Sequence, residues 1–148
     1  MAANTIQLKG DFRLEEALAS GTIYPGMLLE VTSATAHTVR VHSTEGGEAE
    51  RIVAVEDALQ GKTINDAYSS ASKLQYHVCA PGSEVRMFYG ALCSAISKGT
   101  KLISDGLGHL IPVADLSTST LETNIIAVAL EAVASPGSTP ALFTVRLL

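Results

Sequence analysis

From Tyr24-Pro-Gly26 onward, turn-forming residues interrupt the chain at intervals of about ten residues, and that rhythm restricts it to short strands. Met27 to Thr32 reads as one strand, Thr35 to His37 as a turn, and Thr38 to His42 as a second strand with Val39 and Val41 on one side. After the loop Ser43 to Gly47, the segment Glu50 to Val55 resumes an apolar strand. Lys73 to Cys79 and Glu84 to Tyr89 are strands flanking the turn Ala80-Pro-Gly-Ser83. Ala91 to Ile96 is short and apolar, and Lys98 to Val113 reads as a hairpin with Asp105-Gly106 at its tip. A Ser/Thr-rich connection over 114–123 follows. The expected fold is mainly β: a small single-domain β-barrel or sandwich over residues 23–148, with an N-terminal arm over 1–22 and one long loop or helical turn over 57–72.

The arm departs from the rhythm. Asp11 is placed to cap a short helix from Phe12 to Ala19, with Glu15 and Glu16 near its positive end and Gly21 as its stop. Two turns of helix are marginal alone in water, so Phe12, Leu14, Ala17 and Leu18 need a surface to dock on.

The end of the chain, Asn124 to Leu148, reads as two strands around a Ser-Pro-Gly-Ser-Thr-Pro break. In the first, Ile126, Val128 and Leu130 alternate with Ala127, Ala129 and Glu131. The bulky face is expected in the barrel core with Phe143 and Val145. The nearly all-alanine face is expected to lie against a neighbour.

Composition bears on that neighbour. Charged residues are 17% of the 148, against about 25% in ordinary domains, while hydrophobic residues are 47% and the mean hydropathy is +0.27. The longest apolar run, Ile125 to Leu130, is far short of the roughly 20 residues of a membrane span. Excess apolar surface is then covered by protein, which points to a homo-oligomer or larger assembly and to no membrane partner. A net charge of -5, with scattered basic residues, argues against nucleic acid. Met1-Ala-Ala-Asn-Thr5 lacks the basic and apolar segments of a signal peptide. Cys79 and Cys93 make neither a disulfide framework nor a CxxC unit, so buried thiols in a reducing compartment are expected.

Catalytic patterns fail one by one. Gly61-Lys62-Thr63 lacks the first glycine of a phosphate loop, because Glu56 stands there, and Gly106 and Gly108 are followed at position 111 by Ile where a dinucleotide loop needs Gly. His37, His42, His77 and His109 sit at no metal-ligand spacing; only His77 and Cys79 share a strand face. No nucleophile elbow is present. These residues call for no enzyme, no cofactor and no metal. A small-molecule-binding or hydrolytic barrel is the alternative, with the 57–72 loop as a lid and His77 or His109 supplying the chemistry. A self-assembling shell or fibre module outside any virus is another.

Several stretches taken in order carry a resemblance: Tyr24-Pro-Gly-Met-Leu-Leu-Glu-Val31, His42-Ser-Thr-Glu-Gly-Gly-Glu-Ala49, Ala54-Val-Glu-Asp57, Gln60-Gly-Lys-Thr-Ile-Asn-Asp-Ala-Tyr68, Lys98-Gly-Thr-Lys-Leu102 and Asp105-Gly-Leu-Gly-His-Leu110. Over about residues 23 to 134 the chain resembles the capsid decoration, or cement, proteins of tailed bacteriophages. The resemblance implies a small barrel on the outer surface of the virion head, made in the host cytoplasm, that binds across major capsid protein subunits, often as a trimer or dimer. It also implies contact through an N-terminal arm, for which Ile6, Leu8, Phe12, Arg13 and Leu14 are the candidates. In the long loop the candidates are Lys62, Asn65, Asp66 and Tyr68, with Phe12 and Tyr68 alternatively plugging the ends of the barrel core.

Overall fold

A computed structural model of the chain describes residues 5–33, 35–117 and 124–148. Among these residues lie eleven strands and two single 3-10 turns. The strands are β1 (Gln7–Lys9), β2 (Phe12–Ala19), β3 (Leu29–Ser33), β4 (Thr38–Val41), β5 (Ile52–Ala54), β6 (Lys73–Cys79), β7 (Glu84–Tyr89), β8 (Lys101–Ser104), β9 (Leu110–Pro112), β10 (Ala127–Ala129) and β11 (Ala141–Leu147). The fold is mainly β, as the turn rhythm requires.

Two sheets divide the strands. One runs β1-β7-β11-β10-β8-β9. Because Tyr89 on β7 also pairs in parallel with Leu110 on β9, the five strands from β7 to β9 close into a barrel that β1 joins from outside. The second runs β3-β4-β2-β6-β5 and curls until its ends meet, through a bridge from Leu28 to Val53 and an amide of Ala54 donated to Met27. Closure leaves few open edges, which is how small all-β folds avoid pairing at random.

Each sheet has its own core. Ile6, Leu28, Val85, Met87, Leu102, Leu110, Phe143, Val145 and Leu147 fill the barrel and the contact beneath it, whereas Leu29, Val39, Ile52, Ala54, Leu74 and Tyr76 fill the curl of the second sheet. β6 serves both, since Leu74 and Tyr76 face one core and Cys79 faces the other. Gly26 joins the sheets through its backbone: its amide donates to Ala54 at 2.8 Å and its carbonyl accepts from Phe88 at 3.2 Å. It holds φ at +97°, where an L side chain is strained.

The hairpin expected over 98–113 is present as β8 and β9. Asp105 shapes its tip, with Oδ1 accepting the amides of Leu107 at 2.8 Å and His109 at 3.0 Å. The tip then crosses to the second sheet, where the Gly108 carbonyl accepts the Leu28 amide at 2.9 Å. Of the 114–123 connection, residues 118–123 lie outside the described residues, as do residues 1–4 of the expected arm.

Two local expectations are corrected. Phe12 to Ala19 is a strand, not a helix, paired antiparallel with β6 from Phe12–Cys79 through Leu18–Lys73. Asp11 accordingly takes the Ala80 amide on its backbone carbonyl instead of capping a helix. Leu, Glu and Ala favour helix intrinsically, but the ladder to β6 satisfies the backbone and directs Ala17 and Ala19 into the core, and tertiary context wins. The segment expected as an arm thus gives a strand to each sheet over its described residues.

The alanine face of β10 is the second correction. Ala127 and Ala129 point inward, with relative exposures of 0% and 1%, while Val128 and Leu130 are half-buried. Small residues fit there because large ones, Phe143, Val145 and Leu147, come in from β11, and a narrow barrel is filled by alternating small and large side chains.

Candidate functional site

The residues expected to make contacts fall into two groups. In the first, β1 and β2 position the side chains. Ile6 is fully buried in the barrel-side core, its amide donating to Glu56 Oε2 at 3.2 Å and its carbonyl accepting from Arg86 at 2.9 Å. Leu8 is half-buried and Phe12 packs on the His77 ring at 5.2 Å. Arg13 is exposed and paired with Glu15 at 2.8 Å, and Leu14 is 50% exposed.

The second group lies on the long loop. A groove of about 310 Å³ is lined by Lys62, Asp66 and Tyr68 together with Asp57, Ser72 and Lys73. Asn65 is exposed nearby. Asp66 folds back on its own turn, accepting from the Thr63 amide at 2.7 Å and the Thr63 hydroxyl at 3.0 Å, and these bonds hold its carboxyl below the usual range. Tyr68 is buried and donates its hydroxyl to the Val55 carbonyl at 2.6 Å; burial pushes the phenol up to about 12. Lys62 and Asn65 are exposed at the rim while Tyr68 anchors the loop beneath them.

The histidines separate. His77 lies on β6, and burial holds its imidazole below the ordinary range. Cys79 shares its face, but burial pushes that thiol up to about 12, which removes it as a thiolate nucleophile at neutral pH. His109 sits on the hairpin tip with Nδ1 2.8 Å from Asp105 Oδ2 and its ring against Phe88. His109 lines neither groove beside the 57–72 loop; His77 is absent from the one lined by Lys62 and Tyr68 but borders a second, of about 210 Å³, with Leu14, Ala58 and Leu59. Among the described residues no group of three or more His, Cys, Asp and Glu side chains is placed to hold a metal ion.

One buried cluster had no sequence signal. His42, 1% exposed, has Nε2 2.7 Å from the Glu48 carbonyl and Nδ1 2.6 Å from Ser104 Oγ. A carbonyl only accepts, so Nε2 donates to Glu48 and Nδ1 takes the Ser104 hydroxyl proton; the Ser104 oxygen accepts the Gly106 amide at 3.1 Å. With Glu30 Oε2 4.0 Å from Nε2, the set imitates a nucleophile, base and acid in order. Ser104 is fully buried and its oxygen is already engaged, so no substrate carbonyl reaches it. The cluster is a strut between β4 and the hairpin. Its partners stand 62 residues apart in sequence, and no spacing rule finds such a pair.

No protein-family model matches the chain, and no curated protein does. A solved structure does. The crystal structure of the N base of head fibre gp8.5 of bacteriophage phi29 aligns with a TM-score of 0.59, covering 93% of this chain and 95% of that one, at 16% sequence identity. The two chains share a fold. The likeness extends over nearly the whole length of both chains.

Proposed function

We propose that the protein is a virion structural protein that sits on the outer surface of a phage head, binds neighbouring major capsid protein subunits and stabilises the shell as a homo-oligomer. The observation that carries this reading is the near-complete, two-way match in fold to the base of a phage head fibre. The ordered resemblance of Tyr24–Val31, His42–Ala49 and the later stretches to capsid decoration proteins points the same way. The physical logic is multivalency. One molecule that bridges two subunits makes its second contact intramolecular and gains about 10²- to 10⁴-fold in avidity from contacts that are individually modest.

The loop rim formed by Lys62, Asn65 and Asp66 is the surface assigned to the capsid, and the exposed part of β2, Arg13 and Leu14, is assigned to contact between copies of the chain. Ile6 is a core residue, so its substitution tests folding and not attachment. The experiment adds purified protein to heads that lack it and follows cosedimentation and resistance to heat or chelator. Binding that protects the heads, weakened by Lys62→Glu with the fold intact, is expected. Heads that neither bind the protein nor gain resistance overturn the proposal.

A further inference from the structure

β2 is a strand with one edge only partly used. Along its length it pairs with β6, but on the other side β4 pairs only with Leu18 and Ala19. The direction of the remaining backbone groups follows from two hydrogen bonds. The Leu18 amide goes to His37 on the β4 side and the Ala19 amide goes to Ser72 on the β6 side. Alternation then sends the amides and carbonyls of Phe12, Leu14 and Glu16 to the open side, where no strand among the described residues receives them. Such an edge is a template for another strand.

Side chains around the edge are suited to an occupant. Leu14 and Leu18 are 50% and 40% exposed, and Leu59, which lines a groove with Leu14, Val55 and Ala58, is 90% exposed. On the opposite face Arg13 and Glu15 border a cleft of about 630 Å³ with Val31, His37, Tyr76 and Val78.

We propose that this edge pairs antiparallel with the same edge of a second copy of the chain, about a twofold axis through Leu14. Charge selects both the occupant and the register. Centred on Leu14, the pairing sets Arg13 opposite Glu15 twice, and places Leu14 against its own copy. Centring one residue earlier or later sets Arg13 against Arg13 or Glu15 against Glu15, and like charges directly opposite destabilise a ladder. The hydrogen-bonding phase agrees. Leu14 exchanges both backbone bonds with its copy, so Arg13 and Glu15 fall in the non-hydrogen-bonded positions, where opposed side chains lie closest. The free stretch starts after the Gly10 turn and ends where His37 takes the Leu18 amide, so the new ladder is short and its affinity sits at the weak end of specific interfaces.

This names the contact for the assembly in the role proposed above, and it does not depend on capsid attachment. Sedimentation equilibrium of the full chain from micromolar to millimolar concentration tests it, with R13E and E15R alone and mixed. Each variant alone brings like charges together and is expected to weaken self-association by about tenfold or more, whereas the mixture restores it as a heterodimer. Leu14→Cys, at an exposed site, is expected to give a disulfide-linked dimer under mild oxidation, because directly paired Cα atoms about 5.5 Å apart suit that bond. A wild-type chain that stays monomeric at millimolar concentration overturns the proposal, as does a dimer that Leu14→Cys fails to cross-link or a mixture that fails to recover. An edge that accepts only a strand of a different protein overturns it too. Dimerisation without binding to heads overturns only the capsid role.

Discussion

Replacing His42 by Ala tests whether the buried strut holds the hairpin to β4. Three terms contribute. The Ser104 hydroxyl, fully buried, loses the acceptor for its proton and is stranded, at about 1–3 kcal/mol. Glu48 loses a donor at its carbonyl, but this residue is exposed, so water replaces the bond and the loss is about 1 kcal/mol. The missing ring leaves a gap that the Ser43–Gly47 loop closes only in part, adding on the order of 1 kcal/mol. The sum is about 3–5 kcal/mol, which at roughly 2–4 °C per kcal/mol for a chain of this size lowers Tm by about 6–20 °C. Urea unfolding gives the free energy directly. Ser104→Ala alone strands His42 Nδ1 and the Gly106 amide and costs about 2 kcal/mol. Because the two residues share one bond, the double variant falls short of the sum by about 1 kcal/mol or more. A His42→Ala loss below 1 kcal/mol, or strictly additive single variants, would refute the strut.

The remaining predictions concern the join between sheets and the buried titrating groups. Gly26→Ala forces a side chain into φ +97° and sets its Cβ 2.5 Å from Leu142 Cδ2 and 3.3 Å from the Arg86 carbonyl; a loss of about 2 kcal/mol or more in urea unfolding is expected. Cys79 resists thiol reagents in the folded protein at neutral pH and reacts only on unfolding, since burial raises its thiol to about 12; reaction as fast as that of a free thiol would contradict the burial. Tyr68 and Tyr76 are both raised to about 12, chiefly by burial, from about 10 in the unfolded chain. Their contribution to stability is therefore complete below pH 10 and is lost as pH rises toward 12, which absorbance titration of phenolate alongside circular dichroism will follow. Glu15 has its carboxyl lowered, first by the Tyr76 hydroxyl at 2.7 Å, so its contribution is present above the ordinary carboxylate range and is lost as pH falls through the lowered value. Tyr76→Phe moves the Glu15 titration upward in an NMR pH series.

Much of this architecture is legible in the sequence because the strands that build it alternate. Val85, Met87 and Tyr89 set against Arg86 and Phe88 define β7, and Lys73 to Cys79 defines β6, in both cases over the residues the structure assigns. Phe12 to Ala19 was opaque for a definable reason. Its Leu, Glu and Ala residues fit a helical stripe, and the feature that makes it a strand, seven successive partners on β6, lies some sixty residues away. The inward turn of Ala127 and Ala129 was hidden in the same manner, because alanine reads as a surface awaiting a neighbour until Phe143 is known to fill the space opposite. These corrections move the candidate contact surface. An alanine face on β10 offers no docking site once it lines the barrel, and a helical arm has no backbone left to share. A strand paired on one side has a row of amides and carbonyls that alternation aims outward. The search for a partner therefore passes from the end of the chain to Phe12–Glu16, where unused backbone groups, exposed leucines and an Arg13–Glu15 pattern that complements itself occur together.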